Sequence, residues 1–175
     1  GDGSVDSVMA PTHLYDSAMT YSVTLIVTNG CGSDTITNQV SAGLNYCDAT
    51  YTNGSFDGDY LDGIKLGSIN TFGNYYTPGI THVDNTHLST VIALNTTHTL
   101  EALNGGYQGH IAVWIDYNMD GDFDDLSEFL GEVSLSATDT GFFNFTVPSN
   151  AVLGDTRLRV REGYFDSIPP CGIES

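Results

Sequence analysis

The chain has 175 residues, 40% of them hydrophobic, which suits one large or two small globular domains rather than a disordered segment. Its 22 acidic residues face only 4 basic ones, for a formal charge of −18. That charge argues against binding the phosphate backbone of DNA or RNA and against docking on an anionic membrane. It suits a soluble protein that meets cations or neutral sugars. No run of about 18 apolar residues occurs, so no membrane-spanning helix and no membrane insertion are expected, and no signal peptide is recognisable. The abrupt ends, "GDGSVDS" and "CGIES", read as those of a fragment of a longer protein. Low lysine content with abundant Thr, Asn, Gly and Tyr suggests secretion.

In chain order, the first element is "YSVTLIVTN", where Tyr21, Val23, Leu25 and Val27 alternate with Ser22, Thr24 and Thr28 and only Ile26 breaks the pattern. Period-2 alternation of β-branched and aromatic residues predicts a half-buried strand. A boundary falls near "NQVSAGLNYC". Beyond it, "FDGDYLD" carries Asp57, Asp59 and Asp62, read as a polar loop entering a strand, with a weaker cation site as the sharper alternative. "GIKLGSI", "STVIALN", "HTLEAL" and "HIAVWID" read as further short strands. "DDLSEFLGE" is the best candidate for one helical turn. "GEVSLS" and "FNFTV" follow, the latter stopped by Pro148. In "RLRVR", Leu158 and Val160 face in while Arg157, Arg159 and Arg161 face out, where pairing with acidic neighbours across the sheet is expected. Many short strands separated by turn signals, with no convincing amphipathic helix, predict an all-β fold of the sandwich type. The division expected is a short β piece to residue 43 and a sandwich from residue 44 onward.

The stretch "WIDYNMDGDFDDLSE" follows the apolar run "IAVWI" and crowds six carboxylates into one loop. Calcium takes roughly six to eight oxygen ligands, and the EF-hand spacing D-x-[DN]-x-[DN]-G supplies them alternately. Asp116, Asn118, Asp120 and Gly121 fill the first four of those slots. Asp122 would offer its carbonyl and Asp124 its carboxylate or a bridging water. Glu128 sits one residue late for the bidentate position, and a strand rather than a helix precedes the loop. The expectation is an EF-hand-like structural calcium site mounted on a sandwich, with Asp116, Asn118, Asp120, Asp122, Asp124 and Glu128 as its ligands. The alternative is a solvated acidic turn.

No zinc-protease, paired C-x-x-C or nucleophile-elbow spacing occurs, and His13, His82, His87, His98 and His110 show no metal spacing. A catalytic site is therefore not expected. Exposed tyrosines such as Tyr75 and Tyr76 offer a sugar-stacking alternative.

Two family resemblances sharpen this reading. "GDG" at 1–3 with "PTHLYDSAMTYSVTLIVTNGCGSDT" at 11–35 resembles the C-terminal part of a polycystic-kidney-disease (PKD) domain, an immunoglobulin-like sandwich. "NYC" at 45–47, "VWIDYNMDGDFDDLSE" at 113–128, "VPSNAVLGDTRLRVR" at 147–161 and "PCGIES" at 170–175 together resemble a GEVED domain. That family is a β-sandwich of large secreted, multidomain bacterial surface proteins. The two resemblances imply a partial PKD sandwich over 1–43, then a calcium-binding, jelly-roll-like sandwich over 44–175 lacking its last strand. The second also implies a disulfide between Cys47 and Cys171, leaving Cys31 as the odd thiol; a Cys31–Cys47 bridge is the alternative. "DSV", "DSA", "DTI" and "DSI" resemble a bacterial Asp-Ser/Thr-aliphatic O-glycosylation signal, at Ser7, Ser17, Thr35 and Ser167. The function implied is a non-catalytic, calcium-stabilised segment of an extracellular bacterial protein, acting in adhesion, spacing or fibre assembly. Its partners would be neighbouring domains, other copies of itself, or glycans. The alternative is a carbohydrate-binding accessory module of a secreted hydrolase.

Overall fold

The computed structural model describes residues 2–15, 20–52, 54–73 and 77–174. Contacts divide the chain into two compact units, Gly1–Asn45 with Met119–Gly121, and Tyr46–Asn118 with Asp122–Ser175. Among the described residues there is no α-helix, and every sheet but one two-stranded pair is antiparallel. Ser17, Tyr75 and Tyr76 lie outside the described residues, as does the side chain of Asp57.

The first unit is a hairpin. Strands β1 (Thr20–Asn29) and β2 (Gly32–Ser41) pair antiparallel across a turn at Gly30 and Cys31. The register sets Tyr21 opposite Val40 and Leu25 opposite Ile36, so the apolar residues of both strands share one face. Val23, Leu25, Val27, Ile36 and Val40 on that face are exposed. Tyr15 stacks on Tyr21 at 4.0 Å between ring centroids, and His13 meets the edge of Tyr15.

The second unit is a β-sandwich. Its elements are β3 (Ala49–Tyr51), a 3-10 turn (Gly54–Asp57), β4 (Asp59–Leu66), β5 (Ile69–Asn70), β6 (Thr97–Gly106), β7 (Gly109–Ile115), β8 (Phe129–Leu135), β9 (Thr140–Thr146), β10 (Leu158–Gly163) and β11 (Gly172–Glu174). One sheet runs β5-β4-β6-β9 and the other β10-β7-β8. Leu66, Leu100, Ala102, Phe143 and Phe145 of the first sheet and Ile111, Val113 and Ile115 of the second form the core. The run "IAVWI" is apolar on both faces because β7 is covered on both. Ile111, Val113 and Ile115 point into the main core, while Ala112 and Trp114 join Phe123, Ile168 and Tyr46 on the outer face. There β3 and β11 form a parallel pair, and Cys47 and Cys171 are joined in a disulfide beside it. Cys31 is free and exposed.

Two expected elements differ and a third is as expected. "GIKLGSI" is two strands rather than one, folded back at Gly67 and Ser68. Gly63 carries a bulge on β4 at φ 130°, where a Cβ would collide with the Thr71 carbonyl. "STVIALN" is not a strand. Side chains replace a ladder there, with Ser68 N donating to Thr90 Oγ1 and Ser68 Oγ to the Ser89 carbonyl, while Ile92 and Leu94 pack on the core. "DDLSEFLGE" gives a single turn, closed by Glu128 N donating to the Asp125 carbonyl at 3.0 Å, and is strand from Phe129 onward.

Candidate metal centre

Buried β7 delivers the acidic loop. Ile115 N donates to the Glu128 carbonyl at 2.9 Å, so the two ends of the loop are tied at the mouth of the sheet. Asp116 N donates to the Arg157 carbonyl at 3.1 Å, and the Asp116 carbonyl accepts from Thr156 Oγ1. Asp116 and Glu128 are fully buried (0% exposed). Between them the backbone turns through positive φ at Met119 (59°) and Gly121 (94°), which returns the chain towards Glu128.

One carboxylate oxygen each from Asp116, Asp120 and Glu128 lie within 4.8 Å of one another. Tyr46 Oη donates to Asp116 Oδ2 at 2.8 Å, and Tyr117 N donates to Glu128 Oε1 at 3.0 Å. Burial first and then that bond to Asp116 raise the Tyr46 phenol well above its ordinary range, so it stays a donor. Tyr117 is buried and pushed up to about 12. Of the other predicted ligands, Asn118 turns its amide nitrogen to Asp125 Oδ2 at 2.7 Å. Asp124 is exposed, and its amide donates to Asp122 Oδ1 at 2.9 Å. The loop thus brings three carboxylates together. An all-oxygen donor set of this kind suits a hard cation, calcium or magnesium, and not zinc.

The arginines of β10 behave differently from the acidic pairing expected of them. Arg157 lies over Tyr46, Arg159 over Phe123 and Arg161 over Tyr51, each guanidinium within 4.7–5.0 Å of the ring centroid. Arg159 donates to the carbonyls of Cys47 and Pro170, and Arg161 to those of Thr50, Pro169, Cys171 and Gly172. Among the described residues no carboxylate lies within ion-pair distance of any of the three. Burial first, then the charges of Arg161 and Arg157, lower the Arg159 pKa. The ladder therefore fastens the disulfide-bearing segments, 47–51 and 169–172, onto the sheet that carries the acidic loop.

Residues 110–175 match the family model of the GEVED domain. The match begins inside β7 and takes in the acidic loop, the arginine ladder and Cys171. A comparison with curated proteins gives no match. Within the matched segment the residues that sequence reasoning missed as site builders are Tyr117, Thr156 and Asp125. Tyr46, far ahead of that segment in the chain, was missed too. The "NYC" motif holds the only signal for Tyr46, a tyrosine adjoining a bridged cysteine. Of the suggested glycosylation positions that are described, Ser7, Thr35 and Ser167 are exposed.

Proposed function

We propose that this chain is a non-catalytic, calcium-stabilised segment of a large extracellular bacterial protein, acting in adhesion, spacing or fibre assembly. Residues 1–43 are read as the end of a PKD-like domain and residues 44–175 as a GEVED-like sandwich. The observation that carries the metal reading is the meeting of two fully buried carboxylates with a third, their oxygens within 4.8 Å. At an effective dielectric near 20, each such pair repels by roughly 3–4 kcal/mol. A divalent cation reverses that sign. The disulfide supports an oxidising, extracellular setting. Among the described residues no helix is long and apolar enough to cross a membrane.

Thermal unfolding in calcium and in chelator tests the site. At about ten times Kd, calcium stabilises by roughly 1.4 kcal/mol, a rise of a few degrees. Asp120→Ala should lose that rise, and in chelator it should be no less stable than the wild type, since Asp120 is exposed and its removal only relieves repulsion. Equal losses in both conditions would remove Asp120 as a ligand.

A further inference from the structure

A second pair of carboxylates lies at the opposite sort of place, in a cavity of about 260 Å³ inside the sandwich unit. The walls are the start of β4, the end of β10, the 3-10 turn and the segment 80–85. Ser55 fixes two of those walls together: its N donates to the Ile80 carbonyl at 3.1 Å and its Oγ to the Thr77 carbonyl at 2.5 Å.

Glu162 lines this cavity from β10, and Asp59 lines it from β4. Glu162 is only 7% exposed, and its Oε1 has no hydrogen-bond partner. Gly109 on neighbouring β7 leaves the room for that oxygen, because a Cβ there would collide with it. A buried acceptor left unsatisfied costs about 1–3 kcal/mol, more when charged. Burial first and then the Asp59 charge push the Glu162 carboxyl up. Arg161 and Tyr51 also line the cavity, but the Arg161 guanidinium is engaged by four carbonyls and by the Tyr51 ring. The rest of the wall is mixed: Ile64, Ile80, Val83, Tyr60 and Tyr164 stand beside His82, Arg159 and Arg161.

We propose that this cavity binds a small primary ammonium compound with a short apolar or aromatic body, its nitrogen received by Asp59 and Glu162. Carboxylates set among tyrosine rings are the surroundings that hold an organic ammonium. Two carboxylates fall short of the roughly six to eight oxygens that calcium requires, and they repel an anion. The assignment is independent of the acidic loop, and it holds whether or not that loop carries a metal.

The experiment is an amide-resolved NMR titration of the whole chain in saturating calcium above pH 8, where Glu162 is ionised, read at Tyr60 and Gly163. The probes are benzylammonium, its neutral counterpart benzyl alcohol, methyl glucoside and Nα-acetyl-lysine amide. Benzylammonium should give saturable shifts, and benzyl alcohol should bind about 10–100-fold more weakly, the factor expected for a charged hydrogen bond. Glu162→Gln, which keeps the shape and a dispersed spectrum, should weaken benzylammonium by a similar factor, as should Asp59→Asn. Saturable binding of the lysine amide as well would make the source a protein side chain; binding of benzylammonium alone would make it a free amine. Three results would overturn the proposal: no saturable response to either ammonium, equal binding of the alcohol or the glucoside, or full affinity in both variants.

Discussion

Glu162 shows how a single buried carboxyl sets a dependence on pH. Its pKa rises from 4.5 to about 8, through burial first and then through Asp59. Between those values the unfolded chain has released a proton that the folded chain still holds. Folding therefore becomes less favourable as pH rises through that window, and the loss is complete above about 8. Glu162→Gln removes the ionisation. Its melting temperature should exceed the wild-type value by several degrees at pH 8.5, where a ~1 kcal/mol gain is worth about 2–8 °C, and should match it near pH 4. Calorimetry at fixed calcium checks this; a constant gap across the whole range would assign the effect to packing. The residue was partly legible. Alternation in "RLRVR" puts Leu158 and Val160 inward, and one further step puts Glu162 inward too. Its neighbour Asp59 was not, because their meeting depends on β4 and β10 lying in facing sheets. The same holds for the acidic loop: spacing named Asp116, Asp120 and Glu128 together, but Tyr46, 70 residues from Asp116 in the chain, enters only through the fold.

At the scale of elements, β10 is an edge strand whose outer face, with Arg157 just before it, would expose three arginines, and the structure covers it with backbone instead. The all-β class and most strand positions followed from alternation. The arginine partners did not follow, because the acidic excess of the composition pointed to carboxylates. The carbonyls and rings that do the work come from segments about 110 residues earlier and about 10 residues later. "STVIALN" failed for the reverse reason: its residues suit a strand, but side-chain bonds from Ser68 and a turn at Asn95 take up the backbone. Arg161 is 3% exposed, and its loss leaves several carbonyls unpaired. Arg161→Ala should cost roughly 2–4 kcal/mol in urea unfolding. Arg161→Lys should recover little, because one ammonium cannot reproduce a planar fork of donors. Lys65→Ala should cost no more than ~0.5 kcal/mol, since the Lys65–Glu101 pair is half-exposed at 3.9 Å. A similar cost for Arg161→Ala and Lys65→Ala would mean that the ladder is merely solvated.

For the whole molecule, two features oppose each other. The formal charge of −18 drives copies apart. The hairpin presents Val23, Leu25, Val27, Ile36 and Val40 on one exposed face, which favours burial against another surface. On the proposed calcium reading, the ion would shift that balance in a way that simple salt does not. One ion held in the acidic loop would remove two negative charges at a fixed place, whereas sodium chloride screens all charges, with a Debye length of ~10 Å at 0.1 M. If the proposed role in assembly is right, sedimentation should find large species in calcium that shrink on chelation. Sodium chloride at matched ionic strength should not restore them, and Asp120→Ala should remain small in calcium. Restoration by sodium chloride would make screening of the net charge the cause. A single small species under every condition would remove assembly, and the chain would then act as a spacer whose sandwich is held by its disulfide and its ion.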